Sequence, residues 1–102
     1  MSLSKRYLKS RPVCKVTFKV PQEAVETADS VHIVGDFNEW NYEATPMRKL
    51  KNGAYTLTLD LETGTSYQFR YLINKLNWEN DWSADEYVYN TFAECENSVV
   101  HV

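Results

Sequence analysis

The chain has 102 residues, a formal net charge of −3 and 25% charged residues of both signs, so it fits one domain and lacks the basic excess of a nucleic-acid-binding surface. Its 43% hydrophobic and 14% aromatic residues favour one packed core over a disordered chain. No stretch approaches the roughly 20 apolar residues of a membrane span, and residues 1–12 lack the apolar centre of a secretory signal, so we expect a cytoplasmic domain with no membrane partner.

Apolar and polar residues alternate along the first half of the chain, which predicts strands rather than helices. In residues 14–20, CKVTFKV, every second residue from Cys14 is apolar and the residues between are polar, as in a half-buried strand. An irregular acidic connection follows over residues 21–30, and VHIV at residues 31–34 predicts the next strand. That strand stops at Gly35, where the turn GDFNEW begins.

The second half continues the same pattern. Residues 47–50 and 54–61 flank Lys51-Asn52-Gly53, and Asn-Gly between two apolar runs predicts a hairpin. Residues 67–73, YQFRYLI, place Gln68, Arg70 and Leu72 on the face opposite the aromatic residues, so we expect these three to face solvent. A polar and aromatic segment over residues 74–97 precedes the last strand, residues 98–102.

Short strands at even spacing without an amphipathic helix predict an all-β fold, an antiparallel β-sandwich. We assign residues 12–102 to this domain and residues 1–11 to an N-terminal extension. Cys14 and Cys95 are interpreted as two reduced thiols, with a disulfide between the first and last strands as the alternative.

The aromatic residues divide into two sets. Those that alternate within strands are predicted to form the core: Phe18, Tyr55, Phe69 and Tyr71. A second set lies in turns or in the long segment: Trp40, Trp78, Trp82, Tyr87 and Tyr89. Because loops run over the surface, these rings either fold back over a core edge or face a ligand. Three such tryptophans favour a flat exposed aromatic surface, which suits the apolar C–H face of a sugar ring.

Residues that would support catalysis or metal binding do not form a recognisable pattern. GxSxG, HExxH and a phosphate-binding glycine loop are absent, and the three glycines each fit a turn. His32 and His101 have no Cys or carboxylate at ligand spacing. Asp36, Asp81 and Asp85 are interpreted as turn residues that accept hydrogen bonds from nearby backbone N–H groups. We therefore expect no enzyme activity, metal or cofactor.

Four segments, taken in order, resemble the family 48 carbohydrate-binding modules. They are VHIVGDFNEW at 31–40, GAYTLTLDLETGTSYQFRYLIN at 53–74, WEND at 78–81 and ENSVVHV at 96–102. The family includes the glycogen-binding domain of the AMP-activated protein kinase beta subunit and the N-terminal early-set domains of glycogen branching and debranching enzymes. The resemblance covers residues 12–102. It implies an immunoglobulin-like early-set sandwich that binds α-1,4-glucan, such as glycogen, starch or maltodextrin, without catalysis.

The same resemblance implies roles for individual residues. Trp40 and Trp78 match tryptophans that stack on glucose, while Arg70 and Asn97 match residues that bond sugar hydroxyls. Phe92 falls near an apolar residue that packs against the glucan. Trp82 stands where proline is common, and it either widens the sugar platform or packs on its loop. Gly35, Phe37 and Asn38 match the scaffold of the turn.

A protein-interaction or scaffold module is the alternative from a different class. Sandwich domains of this family also dock on catalytic domains, and exposed aromatic residues serve protein interfaces equally well. The partner would be a glucan-metabolising enzyme or a kinase. A glycoside hydrolase by homology is a weaker interpretation, because a (β/α)₈ catalytic barrel needs about 250 residues.

Overall fold

Nine strands form two antiparallel sheets in the computed structural model, which describes residues 1–102. The strands are β1 Ser2–Tyr7, β2 Val13–Val20, β3 Val31–Gly35, β4 Arg48–Lys49, β5 Tyr55–Glu62, β6 Ser66–Ile73, β7 Asn77–Glu79, β8 Glu86–Asn90 and β9 Cys95–His101. The helical elements are two single 3₁₀ turns, Gln22–Ala24 and Asp36–Asn38. No helix has the length and apolar character that crossing a membrane would require. The predicted all-β sandwich is confirmed.

The first sheet has four strands in the order β1-β2-β5-β4. Alternation in β2 turns four fully buried side chains inward: Cys14, Val16, Phe18 and Val20. The other side of the sheet carries polar and charged side chains. In the β2–β5 register Lys15 lies opposite Asp60 and Thr17 lies opposite Thr58. We call this side the polar face, defined by Lys15, Thr17, Lys19, Thr56, Thr58 and Asp60.

The second sheet has the order β3-β6-β9-β8, and β6 is its central strand. One edge of β6 pairs with β3, and the other pairs with β9 over its first half and with β7 over its second half. The aromatic residues of β6 point inward, where the rings of Phe69 and Phe18 lie 5.2 Å apart in an edge-to-face contact. The predicted core residues Phe18, Tyr55, Phe69 and Tyr71 are all buried.

The N-terminal extension contributes a strand that the sequence analysis did not predict. Ser2–Tyr7 pairs with β2 along its whole length, and Leu3 packs against the core. Lys5 Nζ also donates to Asp85 Oδ2 at 2.6 Å, which joins β1 to the loop before β8. An edge strand needs an apolar residue on only one side, so the polar segment SLSKRY carries little hydrophobic alternation.

The long segment 74–97 is more regular than predicted, because it contains β7 and β8. The last strand begins at Cys95 rather than at residue 98, and the strand predicted over residues 47–50 shrinks to Arg48–Lys49. Polar residues dominate these short strands, so hydrophobic periodicity gave no signal for them. Cys14 lies in β2 and Cys95 in β9, in different sheets, and both are free thiols.

Candidate functional site

The turn after β3 is built around Gly35 and Asn38. A Cβ at Gly35 would lie 2.4 Å from the Gln68 carbonyl oxygen, so only glycine allows the turn to approach β6 this closely. Asn38 Oδ1 accepts the Gly35 N–H at 3.0 Å, and its Nδ2 donates to the Ile33 carbonyl at 3.0 Å. Phe37 packs beside Phe18, with ring centroids 6.0 Å apart. These three residues form a rigid base for the tryptophan that follows.

Trp40 is held by a carboxylate and by an unusual backbone conformation. Its indole Nε1 donates to Asp36 Oδ1 at 2.9 Å, while Asp36 Oδ2 accepts the backbone N–H of Gln68 at 2.8 Å. Glu39 and Trp40 both adopt left-handed φ values, 58° and 56°. Such residues cost about 1 kcal/mol or more each and concentrate at functional sites. Asp36 therefore ties a half-buried indole to the central strand of the second sheet.

Trp78 and Arg70 form a stacked pair on the outer face of the second sheet. Trp78 lies opposite Leu72 in the β6–β7 pair, and opposite residues in a ladder share a face. The Arg70 guanidinium carbon lies 4.6 Å from the centre of the Trp78 ring, a cation–π contact. The indole is 37% exposed. The structure thus brings these two predicted residues together, with the guanidinium over one face of the indole.

The expectation that Gln68, Arg70 and Leu72 all face solvent is wrong for Leu72. It is only 3% exposed, because it lies in one cross-strand row between His32 of β3 and Trp78 of β7. His32 is also buried, and burial is the main cause that lowers the pKa of its imidazole. A layer of side chains therefore covers the centre of this outer face.

Asn97 lies on the same face but below the surface. It is 1% exposed, and its Nδ2 donates to Gln68 Oε1 at 3.1 Å. Asn97 Oδ1 and Arg70 Nε are both buried without a hydrogen-bond partner. Unpaired buried polar atoms are rare in folded proteins, so each one calls for an explanation. Two of them in neighbouring strands mark this part of the face as a candidate ligand site.

Of the other predicted residues, Trp40, Trp82 and Phe92 make no ring contact with the stacked pair. Trp82 is 54% exposed in the β7–β8 loop, and its backbone N–H donates to the sulfur of Met1 at 3.2 Å. Its ring makes no stacking or edge contact with Trp78. Phe92 is fully exposed in the turn between β8 and β9.

The carboxylates named above hold the fold together. Asp81 Oδ1 accepts the nearby Ser83 N–H at 2.8 Å, as predicted. Asp36 and Asp85 instead bond backbone N–H groups of distant strands, so the prediction of local turn contacts was wrong for them. Asp81 is fully buried and accepts the Tyr71 hydroxyl at 2.7 Å. Burial and this neighbouring carboxylate raise the pKa of Tyr71 well above its usual value.

The sequence pattern did not indicate the contacts that three residues make at this site: Asp36, Gln68 and Tyr42. Asp36 carried one usable signal, since a carboxylate four residues before a tryptophan in a tight turn can reach its indole N–H. Gln68 and Tyr42 carried none. Gln68 meets Asn97 only through the strand register, and the Tyr42 ring reaches Trp78 only through the path of its loop, with centroids 5.7 Å apart.

Comparison with known proteins finds relatives among much longer enzymes. The chain is 42% identical over 59 residues to the 1,4-alpha-glucan branching enzyme GlgB of Aquifex aeolicus, a match covering 55% of this chain and 9% of that protein. It is 37% identical over 59 residues to an amylopullulanase of Thermoanaerobacter thermohydrosulfuricus, covering 56% of this chain and 4% of that protein. GlgB of Photobacterium profundum is 42% identical over 43 residues, 41% of this chain and 6% of that protein. The chain therefore matches only a small part of each relative.

A family model also matches most of the chain. The sequence profile of carbohydrate-binding module 48, the isoamylase N-terminal domain, matches residues 15–93. That range runs from β2 through β8 and includes Trp40, Arg70 and Trp78. The chain belongs to the carbohydrate-binding module 48 family.

Proposed function

We propose that this chain is a non-catalytic α-glucan-binding module whose ligand is glycogen, starch or maltodextrin. The observation that carries the proposal is the exposed Trp78 indole stacked against Arg70 on the outer face of the second sheet. An indole face accepts the apolar side of a glucose ring, and a neighbouring cation with several N–H groups suits its hydroxyls.

Arg70 limits how a sugar approaches Trp78. Its guanidinium covers one indole face at 4.6 Å, so a glucose ring stacks on the remaining face unless Arg70 moves. Guanidinium has five N–H donors, and a cation–π contact uses none of them. In our proposal the outward N–H groups of Arg70 bond hydroxyls of the stacked unit or of its neighbour.

Trp40 provides the second stacking surface in this proposal. Its hydrogen bond to Asp36 and its fixed turn hold the indole before a ligand arrives, which lowers the ordering cost of binding. A shallow site with two aromatic platforms desolvates little area, so we expect roughly micromolar to millimolar dissociation constants for oligosaccharides.

The remaining predicted residues, Asn97, Phe92 and Trp82, contribute less directly to binding in this proposal. Asn97 reaches a hydroxyl only after Gln68 releases its side chain, because Asn97 is 1% exposed. Phe92 is fully exposed at the β8–β9 turn, and in our proposal it packs against a long glucan chain. Trp82 contributes to the platform only for a ligand that extends to the β7–β8 loop. We also propose a cytoplasmic location, where glycogen is stored.

Calorimetric titration with maltoheptaose tests the proposal. We expect wild type to bind, and Trp78→Ala and Trp40→Ala each to lose about 2 kcal/mol of binding free energy, as central aromatic anchors do. Tyr7→Ala is the matched control, because Tyr7 is a 55% exposed aromatic residue in β1 of the other sheet. Wild type that fails to bind, or tryptophan variants that bind like Tyr7→Ala, would refute the proposed site.

Docking on a glucan-metabolising enzyme is the second candidate function. It is favoured by exposed aromatic residues around β8, away from the stacked pair: Trp82 at 54%, Tyr89 at 60% and Phe92 at 100%. The relatives carry the matched region as a small part of a branching enzyme or an amylopullulanase. A pull-down on amylose beads separates the two candidates, because a pure docking module stays in solution while a glucan-binding module is retained.

A further inference from the structure

Tyr42 makes an unexplained contact with the stacked pair. Its ring centroid lies 5.7 Å from that of Trp78, and the two ring planes meet at 74°. Trp78 therefore contacts both Arg70 from β6 and Tyr42 from the loop after β3. Tyr42 is nevertheless 59% exposed, far more than a ring whose purpose is packing.

The loop that carries Tyr42 is anchored on both sides. The Asn41 N–H donates to the Asn38 carbonyl at 3.1 Å, and the Glu43 N–H donates to Asn41 Oδ1 at 2.9 Å. Further along, the Thr45 carbonyl accepts the Ile33 N–H at 3.1 Å, which fixes the loop to the edge of β3. Tyr42 therefore reaches Trp78 from an anchored segment between two bonded points.

The angle between the two rings gives the site a shape that a flat platform lacks. A flat indole contacts only the face of a sugar ring. A second ring at 74° to the first forms a corner, which also contacts the edge of a sugar, where the hydroxyls lie. A tyrosine supplies an apolar ring for the C–H groups and a hydroxyl that both donates and accepts hydrogen bonds.

We propose that Tyr42 is a direct sugar-contacting residue of this site. Its ring meets the edge of the glucose unit that stacks on Trp78, and its hydroxyl bonds a hydroxyl of that unit. The inference rests on the proposed function, since it needs an α-glucan on Trp78. After Trp78 and Trp40, the third aromatic residue to contact the sugar is then Tyr42 rather than Trp82.

The test is a calorimetric titration of maltoheptaose into wild type, Tyr42→Ala, Tyr42→Phe and the control Tyr7→Ala. We expect Tyr42→Ala to weaken binding about fivefold or more, as a peripheral hot-spot residue does. Tyr42→Phe keeps the ring contact and loses only the hydroxyl, for which we expect about a threefold loss. Tyr7→Ala, at 55% exposure close to the 59% of Tyr42, should bind like wild type.

The outcomes separate the inference from the proposed function. Wild type that does not bind maltoheptaose refutes the function and the inference together. If wild type binds and both Tyr42 variants match it, only the inference is refuted. Tyr42→Phe at wild-type affinity beside a weakened Tyr42→Ala also overturns the inference as stated, because it requires a hydrogen bond from the Tyr42 hydroxyl to the sugar. Equal thermal unfolding midpoints for all four proteins show that the differences arise at the site.

Discussion

The two sheets present different surfaces to solvent. On the polar face of the first sheet, side chains meet partners across the strands: Lys15 Nζ donates to Asp60 Oδ1 at 2.9 Å, and the Thr17 and Thr58 hydroxyls lie 2.8 Å apart. On the outer face of the second sheet, Leu72 is 3% exposed and Asn97 is 1% exposed. The same alternation of side chains thus produces a solvated surface on one sheet and a partly buried one on the other.

The two outer surfaces also differ in how well their buried polar atoms are hydrogen-bonded. The second sheet's outer face holds three buried polar atoms without a protein partner: His32 Nδ1, Arg70 Nε and Asn97 Oδ1. Its neighbouring turn holds Trp40 in the left-handed region at φ 56°. Strained backbone conformations cluster at functional sites, and an unpaired buried polar atom calls for an explanation. Their presence on this face supports the proposal that a ligand binds there.

Gly35→Ala should disrupt the second sheet most. Its φ of −173° suits any residue, so the cost comes from the Cβ, which would lie 2.4 Å from the Gln68 carbonyl oxygen and 2.7 Å from Phe69 Cβ. We expect a loss of about 3 kcal/mol in the free energy of unfolding, at the upper end for overpacked sites. Urea unfolding measures it.

Gly64→Ala is the matched control for that experiment. Gly64 has open space around its Cβ position but a φ of +83°, so its cost is backbone strain of about 1 kcal/mol. If Gly35→Ala loses no more unfolding free energy than Gly64→Ala, the close approach of the turn to β6 is not the reason that position 35 requires glycine.

Tyr71→Phe should have the next largest effect. The change leaves the buried Asp81 carboxylate without the hydroxyl that donates to it at 2.7 Å. A hydrogen bond to a charged group contributes about 2 kcal/mol, so we expect that loss in urea unfolding at neutral pH. Tyr67→Phe is the control, because its hydroxyl donates to the Glu62 carbonyl at the surface. Equal losses in both variants would contradict a special role for the buried pair.

The same tyrosine makes a prediction about alkaline pH. Burial, aided by Asp81, raises the pKa of Tyr71 well above 10.0, while the unfolded chain titrates near that value. Above pH 10 the unfolded state therefore releases a proton that the folded state keeps. The stability that protonated Tyr71 provides is complete below that pH and is lost as pH rises toward its folded pKa. Tyr71→Phe should show a flatter decline above pH 10 than wild type does.

Lys5→Met tests the strand that joins the two sheets at their edge, with a smaller effect. The Lys5–Asp85 pair has side chains 25% and 28% exposed, so we expect a loss of about 1 kcal/mol, the upper end for a surface pair. Lys15→Met breaks the more exposed pair on the polar face and should cost less. A smaller loss for Lys5→Met than for Lys15→Met would argue against β1 as a tie between the sheets.

The Lys5 variant also changes the acid side of the stability profile. Burial acts to raise the pKa of Asp85, but hydrogen bonds from Lys5 and from the His101 N–H outweigh it and hold the pKa below 3.8. The stability from this carboxylate is present above that value and is lost as pH falls through the folded pKa. Without Lys5 the pKa of Asp85 rises, so acid unfolding should begin at a higher pH. Carboxyl titration by NMR measures the shift.

Much of the fold followed from hydrophobic alternation, as in β2 and β6, and the Asn-Gly hairpin followed from turn chemistry. The strands β7 and β8 were not predicted, because a short strand at a sheet edge needs little apolar sequence. The pattern also put Arg70 on the outer face correctly. It placed Leu72 in solvent wrongly, since its burial depends on His32 and Trp78 from other strands.

The candidate site also has features that a short stretch of sequence can indicate and features that depend on tertiary structure. Trp40 and Trp78 were predicted as site residues because an aromatic residue in a turn stands out locally. The burial of Asn97 beside Gln68 depends on the register between β6 and β9, and the Tyr42 contact depends on how the loop over residues 41–46 closes. No short stretch of sequence indicates the burial of Asn97 or the Tyr42 contact, so both could be identified only from the tertiary structure.

Thr58→Ala on the polar face should have the smallest effect, and it tests most directly whether the two sheets differ in sugar binding. It removes the hydroxyl contact with Thr17 at 2.8 Å between exposed side chains, so we expect less than about 0.5 kcal/mol of lost stability. Maltoheptaose affinity should stay at the wild-type value, because the change lies on the sheet opposite Trp78. If instead Thr58→Ala weakens glucan binding as much as Trp78→Ala does, sugar binding is not confined to one face. The unpaired polar atoms on the outer face of the second sheet would then need a purely structural explanation.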